Sequence, residues 1–175
     1  MNKITLRVGR TGKITALLQI ALILISLAAI PLTKRADLSG GWIMNTEKSD
    51  FGGLAPSTMI KRIQVRQQSE DISIQRFVDP NGPQDTVSLE VLRFDGSTTE
   101  TKVSGARKVS SMKWADDGRG FTEISETTDG HYDRINTQIW TLSVDGQTLT
   151  TESNIVLKAT GNVFKTKMVY TKTNK

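Results

Sequence analysis

Two arginines fall where alternation along a strand aims a side chain inward. Arg76 continues the phase of Ile72 and Ile74, and Arg93 continues that of Val87, Leu89 and Val91. A guanidinium among apolar side chains is costly unless it is paired or wet. Its planar fork binds a carboxylate or phosphate at two points, so either arginine is a candidate for holding the polar head of a ligand. The competing reading is that each strand has reached a rim, or that a bulge has flipped its phase.

Other chemistry is sparse. His131 is the sole histidine and sits in Asp129-Gly130-His131-Tyr132-Asp133. Two flanking carboxylates hint at a cation site, but ligand number and a rigid frame are lacking, and an exposed turn is expected. The absence of Cys rules out disulfides, thiol catalysis and Cys-based zinc sites. A nucleophile–His–acid triad has only His131 to draw on, and no Gly-x-Ser-x-Gly elbow occurs. No carboxylate pair is singled out for glycoside hydrolysis, and Asp116-Asp117 reads as turn chemistry. The run from Lys61 to Arg66 alternates basic and apolar residues without the aromatic interleaving of a single-strand nucleic-acid binder. No catalytic residue, metal or cofactor is assigned, and an enzyme is not expected.

The elements that must position Arg76 and Arg93 are short strands separated by turn signals. They are expected at 40–45, 59–68, 71–78, 86–94, 99–103, 107–115, 121–127, 134–144, 148–157 and 162–172. Asp95-Gly96 and Asp145-Gly146 are hairpin turns, and Pro80-Asn81-Gly82-Pro83 is another turn. Alternation gives each strand one apolar face: Ile63 with Val65, Ile72 with Ile74, Val87 with Leu89 and Val91, Trp140 with Leu142 and Val144, and Phe164 with Met168 and Tyr170. Consecutive hairpins of this kind close most economically into an antiparallel up-and-down barrel. The expectation is thus an all-β barrel of about eight to ten strands, with a two-sheet sandwich as the alternative. Its lumen would hold Ile63, Ile74, Leu89, Trp140, Leu142, Met168 and Tyr170, with Arg76 and Arg93 near the rim.

The first 36 residues are of another kind. Lys3, Arg7, Arg10 and Lys13 precede an apolar run over 14–32, and no acidic residue occurs before Asp37. This is how a secretory signal or an N-terminal membrane anchor is built. Ser26 and Ala28 suit cleavage after Ala28; against that, an apolar helix over the run would span roughly 28 Å, about one hydrocarbon core. The domain at 37–175 is therefore expected outside the cytoplasm: periplasmic or secreted if the segment is cut, anchored to the inner membrane through 14–32 if not. Six of the 23 Lys and Arg lie in the export segment, leaving 17 against 18 acidic groups, or net −1, in the domain. The basic pI belongs to the leader, so charge gives no case for nucleic acid.

Leu38-Ser39-Gly40-Gly41-Trp42 opens the domain with a Gly-x-Trp, followed by Asn45, Lys48-Ser49-Asp50-Phe51-Gly52-Gly53 and Pro56. This opening resembles that of a group of small exported bacterial lipocalin-like proteins, mostly without an assigned activity. The later Asp-Gly hairpins and the terminal Tyr170-Thr171-Lys172 fit the same pattern. The resemblance implies a lipocalin-like barrel whose Trp42 plugs one end. A buried indole needs both an apolar surface and a partner for its N–H, and a barrel end offers both. Two functions follow as expectations. One is a binding module for a small apolar or amphipathic molecule; the other is a structural or interaction domain of the cell envelope with a filled barrel and no ligand.

Overall fold

The computed structural model describes residues 34–79 and 86–173, and the chain from Lys34 onward forms one compact unit. The apolar run, the cleavage point after Ala28 and the turn at 80–83 lie outside the described residues. Among the described residues no helix is long and apolar enough to cross a membrane.

Ten strands form one antiparallel sheet: β1 (Gly40–Met44), β2 (Arg62–Gln67), β3 (Asp71–Phe77), β4 (Thr86–Arg93), β5 (Thr99–Val103), β6 (Ala106–Trp114), β7 (Gly120–Thr128), β8 (Arg134–Leu142), β9 (Thr148–Leu157) and β10 (Val163–Thr173). Each pairs with its sequence neighbour, β1 also pairs with β10, and the spatial order is β4-β3-β2-β1-β10-β9-β8-β7-β6-β5. The result is an antiparallel, nearly closed barrel. Its seam lies between β4 and β5, which share no backbone ladder. Two threonines of β5 bridge the seam instead: Thr99 Oγ1 donates to the Val91 carbonyl at 2.5 Å and Thr101 Oγ1 to the Leu89 carbonyl at 2.8 Å. These bonds occupy acceptors that an open edge would leave free.

One end of the barrel is filled. Leu38, Trp42, Val65, Ile72, Leu92 and Leu149 belong to its buried core. The segment before β1 crosses this end, with Ala36 N donating to the Gly118 carbonyl at 2.7 Å and Leu38 N to Gln67 Oε1 at 3.1 Å. Trp42 is fully buried there, its Nε1 donating to the Leu38 carbonyl at 3.0 Å. The Lys172 ammonium lies 5.2 Å from the Trp42 ring centroid.

The opening motif has a structural job at the other end. Asn45 Oδ1 caps a 3₁₀ turn by accepting from Lys48 N, and Ser49 Oγ accepts from Val169 N at 3.0 Å. Asp50 and Lys167 exchange backbone hydrogen bonds at 2.7 and 2.8 Å. Gly52 has φ +59°, and a Cβ there would lie 1.9 Å from the Lys165 carbonyl oxygen, so only glycine fits. The motif therefore pins the long β1–β2 connection onto β10.

β4 corrects the expected phase. Its register against β3 pairs Ile72 with Leu92, Ile74 with Glu90 and Arg76 with Ser88, with a shift between Arg76 and Phe77. Directly paired residues share a face, so Ser88, Glu90 and Leu92 point inward. Leu89 is 56% exposed, and Val91 and Arg93 are also on the outside, whereas Leu92 is 0% exposed. Leu89 and Arg93 are therefore not lumen or rim residues. Truncating each face tests this phase: Leu92→Ala should cost about 2–5 kcal/mol of stability and Leu89→Ala no more than about 0.5, read from urea unfolding. The opposite ranking would restore the expected phase.

Candidate functional site

Arg76 reaches the interior from β3 because Ile72 and Ile74 fix the phase of that strand. Three further charged residues meet it there: Glu90 of the neighbouring β4, and Lys108 of β6 and Glu123 of β7 from across the seam. Arg76 Nη1 donates to Glu90 Oε2 at 2.6 Å and Nη2 to Glu123 Oε2 at 3.1 Å. Lys108 Nζ donates to Glu90 Oε2 at 2.9 Å and to Glu123 Oε1 at 2.7 Å. Ser110 Oγ donates to the remaining oxygen of Glu90. Two cations and two carboxylates thus form a closed ring in which each charge touches both opposite charges. Such pairing is what allows the glutamates to be buried, at 1% and 0% exposure.

Burial alone would raise the Glu90 carboxyl. Arg76, then Lys108 and the Ser110 hydroxyl, outweigh it and bring the group to about 2. Burial also works against the Arg76 guanidinium, but Glu123 and Glu90 raise its pKa and keep it charged. The Tyr170 phenol is pushed up by burial, against a smaller opposing effect of Arg76, and its hydroxyl donates to the Ile60 carbonyl at 3.0 Å.

Next to the ring the barrel holds a cavity of about 300 Å³. Arg76 and Lys108 line it, while Glu90 and Glu123 do not. Arg134 joins them, 3.9 Å from Asp129, and no Asp or Glu is among the lining residues. The walls have two characters. Met59, Ile60, Ile63, Met168 and Tyr170 form an apolar side from the β1–β2 connection, β2 and β10. Ser125, Thr127, Asn136, Gln138, Thr151 and Ser153 form a polar side from β7, β8 and β9. Trp140 is another lining residue; its ring lies 5.5 Å from the Arg76 guanidinium and stacks on Phe121 at 5.3 Å. Two lining groups are buried without a hydrogen-bond partner among the described residues: Trp140 Nε1 and Asn136 Oδ1. Buried polar atoms of this kind are uncommon in folded proteins and call for an explanation.

Of the residues expected in the lumen, Ile63, Arg76, Trp140, Met168 and Tyr170 line the cavity. Ile74 and Leu142 are buried in the core but are not among its lining. Leu89 and Arg93 lie outside, as the β4 register requires. His131 is in an exposed turn, where its N–H donates to Asp129 Oδ1. No cluster of three potential metal ligands occurs among the described residues. Sequence reasoning missed Glu90, Lys108 and Glu123. A signal was present: an inward Arg76 demands a buried anion, and Glu123 alternates with Phe121 and Ser125 on the inner face of β7.

Compared with known protein families, curated proteins and solved structures, the chain matches none.

Two outcomes follow from the ring. Glu90→Ala leaves two buried cations sharing one carboxylate and should cost about 3–5 kcal/mol, measured by denaturant unfolding. A neutral result would place Glu90 in solvent. A carboxylate depressed on folding stabilises the fold fully above its ordinary value of 4.5, and that stabilisation is lost as pH falls toward about 2. Unfolding free energy should therefore drop across that window by on the order of 3 kcal/mol, and Glu90→Gln should flatten that part of the curve.

Proposed function

We propose that this protein is an exported, lipocalin-like binding module whose barrel holds one small amphipathic molecule. The observation that carries the reading is a cavity of about 300 Å³ whose lining joins an apolar side to Arg76, Lys108 and the polar side chains of β7, β8 and β9. That volume is at the lower end of ligand sites, which combine apolar walls with a few placed polar groups. The basic, then apolar, N-terminal segment supports export, and the opening motif supports the lipocalin-like assignment.

Binding accounts for the site better than catalysis does. Glu90 is held ionised by its cations and has no proton to donate near neutral pH. Neither glutamate lines the cavity, so neither is placed against a reacting atom.

One observation favours the envelope-interaction reading. Ile124 is exposed on the outer face of β7, with Ile135 and Ile139 of β8 diagonal to it. Against that reading, Leu92 is fully buried and Phe94 packs against the core, so these two make no outer patch. Native mass spectrometry of the full-length protein separates the two. A discrete added mass, lost on organic extraction, is expected. A clean apo mass that stays unchanged after incubation with fatty acids and other small amphiphiles would replace the carrier with an interaction domain.

A further inference from the structure

The chemistry of the cavity narrows what it can hold. Its charged lining is wholly cationic, and the ring arranges this: Arg76 and Lys108 face the cavity with the glutamates behind them. Lys108 has three N–H donors and uses two, and Arg76 has five and uses two, among the described residues. Donors therefore remain for a further acceptor. With Arg134 3.9 Å from Asp129, the three lining cations against the two ring carboxylates leave at most one positive charge, so a single anionic group is the most that the lining balances. A dianion would leave a negative charge uncompensated in a buried site, which is costly.

The walls add a second constraint. A straight acyl chain suits a cavity that is apolar all round. Here the hydroxyl-bearing side chains of Ser125, Thr127 and Thr151 line the cavity together with Ile63 and Met168. Covering those hydroxyls with methylenes leaves them unpaired, a penalty that hydrogen-bonding ligand groups avoid. Asn136 and Trp140 both line the cavity and lie four residues apart on the same strand, about 13 Å along it. At roughly 30 Å³ per water, the cavity has room for about ten waters, so a ligand of roughly ten to fifteen non-hydrogen atoms fills it.

We infer that the cavity takes a small monocarboxylic acid with hydroxyl or carbonyl groups along one edge and an apolar opposite edge. Its carboxylate sits on the free donors of Arg76 and Lys108 beside Trp140, and its hydroxylated edge faces β7–β9. This deepens the binding reading above and rests on it.

Isothermal titration calorimetry on the full-length protein tests it with three probes of similar size: 4-hydroxycinnamate, its methyl ester and decanoate. A fourth, neutral fluorescent probe, N-phenyl-1-naphthylamine, reports on binding of any kind. The hydroxy acid is expected to bind at least tenfold more tightly than either its ester or decanoate. The double variant Lys108→Met with Glu123→Gln removes one charge of each sign from the ring and one of the two carboxylate anchors, and should cut the advantage over the ester severalfold while leaving the neutral probe bound. An ester that binds as well as the acid overturns the anion assignment, and decanoate binding as well as the hydroxy acid overturns the two-faced one. If the neutral probe binds but the hydroxy acid does not, the ligand class is wrong and the carrier stands. If no probe binds, the carrier reading itself fails.

Discussion

The ring of Arg76, Glu90, Lys108 and Glu123 is the contact on which the barrel's closure and its cavity both depend. The backbone ladder stops at β4 on one side and β5 on the other. Inside that seam, Arg76 of β3 reaches Glu123 of β7 and Lys108 of β6 reaches Glu90 of β4. The two edges of the sheet are thus tied by charges inside and by the Thr99 and Thr101 hydroxyls outside, where a backbone ladder would ordinarily do it. A buried charge ring adds little net stability over a packed apolar layer, but removing one member is severe. Its effect here is geometric: it fixes which strands meet across the seam and turns the cations toward the lumen.

Around that ring the rest of the interior is layered. An aromatic series runs from Phe94 through Trp114 and Phe121 to Trp140, with successive centroids 5.4, 5.8 and 5.3 Å apart. Arg35 lies over its first two members and Arg76 over its last. The filled end, the charge ring and the cavity are therefore connected by stacked and edge-on rings with good aromatic geometry. The Asn45–Gly52 motif anchors the opposite wall, because the connection it pins to β10 carries Met59 and Ile60.

Most of the fold was legible in the sequence. Turn residues and alternation located all ten strands to within a few residues, because each hairpin carries its own local signal. The phases of β2 and β3 were readable because Ile63, Val65, Ile72 and Ile74 stand against polar neighbours. β4 was not readable in this way. Leu89 and Val91 outnumber Leu92 as apolar cues, yet pairing with β3 turns Glu90 inward, where Arg76 and Lys108 await it. Local alternation prices a carboxylate as a solvent-facing residue. Only the cross-barrel geometry shows that two cations compensate it, and strand pitch alone does not carry that information. The same limit hid Lys108 and Glu123, and with them the sign of the cavity.

The central claim is that the charge ring supplies the cationic lining of a ligand chamber that Trp140 also lines. The most direct measurement is a ¹⁵N–¹H spectrum of the indole groups, recorded before and after loading with 4-hydroxycinnamate. Trp42 already donates to the Leu38 carbonyl at the filled end. The account predicts that the Trp140 Nε1–H resonance moves on loading while that of Trp42 stays in place. A Trp140 signal that holds its position at saturating acid would contradict the account.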